Sequence, residues 1–123
     1  MSSRGDVASR KKILARIRQT VLEIEPGATV LLYGSRARGD ARPISDWDVL
    51  VLLDGPVGGA RSMAVYDRLV RLSTGPDDGI QSIVLSRDIW NSPDWRVLPF
   101  HQNVDVDGIV LTAGGSKPRP SRR

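Results

Sequence analysis

Five apolar residues in a row, Val49-Leu50-Val51-Leu52-Leu53, follow directly on Asp46-Trp47-Asp48. A strand with one wet face alternates apolar and polar residues, whereas an unbroken apolar run bounded by turn residues (here Asp54 to Gly59) has to be covered on both faces. Such a strand needs a sheet with helices on either side, and the flanking sequence supplies them. Ile13, Leu14, Ile17, Val21 and Ile24 share one face of a helix predicted over Val7–Ile24, which Pro26-Gly27 closes. Ala28–Tyr33 reads as a short apolar strand and Asp48–Leu53 as the central one. Arg61–Ser73 reads as a second helix with a Val65, Leu69, Leu72 stripe, Thr74–Gly79 as a turn, and Ile80–Leu85 as a third strand. Further on, helical pieces over Arg87–Asn91 and Trp95–Val104 are interrupted by Pro93 and Pro99. Asp107-Gly108 turns the chain, and Ile109–Thr112 is a last short strand. Alternating helices and strands place the chain in the α/β class, with a small mixed sheet under helical cover.

At 123 residues this is one domain, expected over 1–113, followed by a basic tail at 114–123 expected to be disordered. The formal net charge of +4 belongs to that tail. Lys117, Arg119, Arg122 and Arg123 lie in the last seven residues, and without them basic and acidic residues are equal in number. With only six aromatic residues scattered along the chain, there is little basis for direct nucleic-acid recognition. Cysteine is absent, so disulfides and thiolate metal sites are excluded. No apolar run approaches the ~20 residues of a membrane span. The polar, basic first residues carry no secretion signal, and a cytoplasmic location is expected.

The chemistry concentrates in Leu32-Tyr33-Gly34-Ser35-Arg36-Ala37-Arg38-Gly39 and in Asp46-Trp47-Asp48. Gly34 lets backbone approach a ligand, and Ser35 offers a hydroxyl and an N–H. A short helix starting near Ser35 would turn its unpaired amides toward phosphate, and Arg36 or Arg38 could add a forked donor. Asp46 and Asp48, two apart in a strand, point to the same face. Side by side they repel unless a cation lies between them, and Mg2+ takes one or two carboxylates plus phosphate oxygens. A phosphate cradle next to a carboxylate pair suits attack on an α-phosphorus with pyrophosphate leaving.

Gly34-Ser35, Asp46-x-Asp48 and the apolar strand that follows resemble the DNA polymerase beta-like nucleotidyltransferase superfamily. The wording from Gly34 to Asp48 is similar to the minimal nucleotidyltransferases, stand-alone domains often paired with a HEPN-domain protein in toxin–antitoxin systems. The resemblance covers Ala28 to Leu85 well and extends more loosely beyond. It implies a polymerase beta-like nucleotidyltransferase fold, with ATP or another nucleoside triphosphate as substrate and Mg2+ as cofactor. Gly34 and Ser35 would hold the β and γ phosphates, and Asp46 and Asp48 the metal. A HEPN-family partner would supply the acceptor hydroxyl, making this chain the antitoxin. The resemblance also implies a third carboxylate on a neighbouring strand, helping to deprotonate the acceptor. At that position stands Gln81, which cannot act as a base at neutral pH. Asp77 and Asp78, in the turn just before, are the alternative candidates for that carboxylate.

Two rival functions follow. Gln81 would leave a catalytically weakened module that binds nucleotide or partner and neutralises the partner by occlusion. A small-molecule adenylyltransferase of the aminoglycoside-modifying type shares the same motifs, but usually carries an additional acceptor-binding domain. Elsewhere, Asp40 and Arg42 read as a turn ion pair, Trp47 as core facing away from Asp46 and Asp48, and Asp54 as a turn residue. Tyr33 reads as packing close to the site and His101 as structural or exposed, while Trp90, Trp95 and Phe100 cover the sheet edge or a partner surface.

Overall fold

The computed structural model describes residues 4–39, 46–72 and 79–112, with side chains from residue 10 onward. The Asp40–Arg42 pair, Asp77, Asp78 and the tail at 114–123 lie outside the described residues. The element order is α1 (Arg4–Ile24), β1 (Thr29–Tyr33), α2 (Ser35–Arg38), β2 (Trp47–Leu53), α3 (Gly59–Val70), β3 (Ile80–Ser86), α4 (Arg87–Trp90), α5 (Pro93–Arg96), α6 (Pro99–Asp107) and β4 (Ile109–Val110). The strands form one sheet in the order β3-β2-β1-β4. β1 runs antiparallel to β2 and to β4, and β2 runs parallel to β3. The parallel pair needs a long crossover, which α3 supplies. The sheet is therefore mixed, as the sequence leads one to expect.

Its two faces carry separate cores. Val30, Leu32, Trp47, Val49, Val51 and Leu53 point to one face and pack under Ile17 and Val21 of α1 and Val65 and Leu69 of α3. Leu31, Leu50 and Leu52 point to the other, under Trp90 of α4 and Val104 of α6. Every residue of β2 is buried except the half-buried Asp48. Each large apolar side chain so buried contributes ~1.5–3 kcal/mol, so the fold closes tightly around a strand that leaves one polar opening. Among the described residues no helix is long and apolar enough to cross a membrane.

The C-terminal helices differ from the sequence expectation. The helical run does break just before Pro93 and Pro99, but each also occupies the first turn of a new helix, so Trp95–Val104 is split between α5 and α6. The first amide of a helix needs no partner, and the proline ring presets the helical φ, so a proline costs little there. α4 starts on Ser86, whose Oγ accepts from the Ile89 amide at 3.1 Å. The last strand is shorter than expected and stops at Val110. Trp90, fully buried, covers a sheet face rather than an edge. His101 is buried and stacks on Trp90 with ring centroids 4.0 Å apart, its Nδ1 being 3.3 Å from Asp105.

Candidate active site

β1 leaves the sheet at Tyr33, whose register partner on β2 is Asp48. The next residue, Gly34, turns the chain into α2 at φ 77° and ψ −159°. That region is open almost only to glycine. The missing side chain matters a second time, because a Cβ on Gly34 would stand 2.4 Å from Oδ2 of Asp48. The loop thus lies directly against the carboxylate. The amides of Ala37 and Arg38 both donate to the Gly34 carbonyl, and Gly39, at φ 85°, ends the short helix. Gly34 at the N-cap has no side chain to satisfy the leading amides of α2. Ser35 is the first residue of that helix.

Asp46 lies just ahead of β2 and is exposed, while Asp48, on the strand, is half-buried. In the parallel β2/β3 register Asp48 stands beside Gln81, so the two side chains share a face. The Gln81 Nε2 donates to Oδ2 of Asp46 at 3.4 Å. The other oxygen of Asp46, Oδ1, lies against Gly79, where a Cβ would come within 3.0 Å. The Trp47 amide donates to the Gly79 carbonyl at 2.9 Å and ties the two approaching chains together. Sequence reasoning passed over Gly79; its one signal was a glycine immediately before a strand.

Burial raises the affinity of Asp48 for its proton, the negative charge of Asp46 raises it further, and Arg38 partly offsets both. Tyr33, half-buried beside Asp48 and edge-on to Phe100 at 5.1 Å, has its phenol pushed up to about 12, by burial first and the Asp48 charge second. It stays a neutral hydroxyl at physiological pH. The two arginines of α2 diverge. Arg38 acts electrostatically on Asp48. The Arg36 guanidinium lies 4.3 Å over the ring of Trp47, which faces the α1/α3 core on the opposite side of the sheet.

Among the described residues no three His, Cys, Asp or Glu side chains gather around one point. Among the described residues the carboxylates at this point are Asp46 and Asp48, with the neutral amide of Gln81 beside them. The donor set fits Mg2+, a hard ion that takes carboxylate and carbonyl oxygens and completes its shell with water and phosphate. The glycine cradle against Asp48 leaves room for such an oxygen-rich ligand where any side chain would fill the space.

The Nucleotidyltransferase domain family model matches residues 14–89, which include every residue of this site. No curated protein matches the chain. Among solved structures, a chain of a crystal structure of a toxin–antitoxin with AMP-PNP is similar in fold. The TM-score is 0.56 at 18% identity, covering 85% of this chain and 74% of that one.

Proposed function

The chain belongs to the nucleotidyltransferase domain family, and from that premise we propose that it transfers AMP from ATP to a hydroxyl of a partner protein. The reading rests on one observation: Gly34 lies against the Asp48 carboxylate, which would bring a phosphate cradle and a cation-binding pair to one point. The backbone at Gly34 and Ser35 would hold the β and γ phosphates, with Arg38 contributing positive charge. Asp46 and Asp48 would hold Mg2+, which when bound neutralises charge on the phosphate oxygens. The acceptor oxygen bonds to the α-phosphorus and the bond to the bridging oxygen breaks, so pyrophosphate departs. Gln81 takes no proton at neutral pH, so the acceptor's proton goes to an aspartate or to water. Arg36, stacked on Trp47, is given no part in this.

The acceptor is proposed to be a HEPN-family toxin, with this chain as its antitoxin. The similar fold in a toxin–antitoxin that binds AMP-PNP supports the choice of an adenine nucleotide and of a protein partner. The test mixes the chain with the protein encoded beside its gene, ATP and Mg2+, followed by intact-mass spectrometry of that protein. An AMP adduct is expected, lost with Asp46→Ala. A partner that stays unmodified while calorimetry shows nucleotide bound would sink the transfer reaction. The neutral Gln81 favours a second reading, neutralisation by occlusion, and an unmodified yet inactivated partner would support it.

A further inference from the structure

We infer that Gln81 is a positioning residue that orients Asp46, rather than a vacated ligand position; this rests on the reading that Asp46 and Asp48 hold a divalent cation. Asp46 stands outside the β2 ladder and is exposed, so the strand itself does not fix its side chain. Two contacts from the β3 side do. Oδ2 accepts from the Gln81 amide, and Oδ1 sits where a Cβ on Gly79 would come within 3.0 Å of it. The brace is available because Gln81 is paired in register with Asp48, which puts its amide on the same face as both carboxylates. A carboxylate at this position could neither donate to Asp46 at neutral pH nor avoid repelling it. A glutamine meets both requirements: it supplies an N–H and adds no charge. Partners that orient a metal ligand typically contribute ~10–100-fold to metal affinity without touching the metal.

The test is a double-mutant cycle on the full chain without nucleotide, with Mn2+ affinity read by electron paramagnetic resonance. Gln81→Met keeps the length of the side chain and removes its donor. It is expected to weaken Mn2+ binding about tenfold in the wild-type background and to have no further effect in an Asp46→Ala background. An equal loss in both backgrounds would make Gln81 a direct ligand and overturn the inference, as would no loss in either. In the metal-free protein the side-chain amide resonances of Gln81 are expected to shift on Asp46→Ala, and unmoved resonances would also overturn it. Absence of any Mn2+ binding by the wild type would count against the cation reading of the site, and the amide resonances would then decide the role of Gln81 alone.

Discussion

At the Leu53 end of β2, acidic groups meet guanidinium groups; at the Trp47 end, they meet each other. Arg61 grips Glu25 through two nitrogens, at 2.7 and 2.9 Å, and donates to the Asp54 and Pro56 carbonyls. Arg87 pairs with Asp54 at 2.7 Å and reaches Thr29 and the Gly27 carbonyl, joining the start of β1, the end of β2 and the end of β3. At the opposite end Asp46 and Asp48 share a face with an uncharged amide, next to a glycine in a conformation other residues avoid. The first arrangement stabilises the fold. The second opposes it locally and persists because the surrounding core holds it in place. Departures from local consistency of this kind concentrate where a protein binds or reacts.

The largest expected effect separates the two ends by function. Asp48→Asn is expected to lower transfer on the order of a thousandfold or more, the several kcal/mol of charge stabilisation that a bound cation contributes, while raising the apo thermal midpoint. Arg61→Ala is expected to do the reverse, lowering the thermal midpoint with nucleotide affinity unchanged. Calorimetry and thermal melts on both variants check this, and a stability loss in Asp48→Asn would break the contrast.

Gly34→Ala comes next. Strained φ and a Cβ pressed on Asp48 are expected to cost ~1–3 kcal/mol and to abolish AMP-PNP binding, since the cradle and the carboxylate must then separate. A melt and a titration on the same sample read both, and retained binding would remove Gly34 from the site.

The smallest effect is a pH dependence of opposite sign at the two ends. The hydrogen bond from Arg61 holds Glu25 below its ordinary value of 4.5, with burial opposing and the Arg61 charge helping. The contribution of Glu25 is therefore present above that value and is lost as pH falls through the lowered one. Asp48 is raised above 3.8, chiefly by burial. Its contribution is complete below 3.8 and is lost as pH rises through the raised value. Glu25→Gln should thus destabilise at neutral pH and Asp48→Asn should stabilise, both differences closing on acidification. Urea midpoints from about pH 3 to 7 test the pair, and differences that do not depend on pH would refute the electrostatic account.

Much of the framework was legible along the chain. The run Val49–Leu53 announced a strand covered on both faces, because strand periodicity is local. That Pro93 and Pro99 break the helical run was legible; that each also starts the next helix was not, since the same residue breaks a helix inside it and favours it at its start. Only the positions of Ser92 and Leu98 as caps tell which applies. The Arg61 and Arg87 clamps went unseen, their partners lying 36 and 33 residues away.

Residue order alone pointed to most of the helices and strands and marked Gly34, Asp46 and Asp48 as the candidate site, since these follow from periodicity and from what each side chain can bind. Strand register decided that Gln81 would touch Asp46 across 35 residues. Packing decided that Arg36 would lie on Trp47 while Arg38 acts on Asp48. Long side chains have many rotamers of similar energy, and only neighbours brought in by the whole fold select among them.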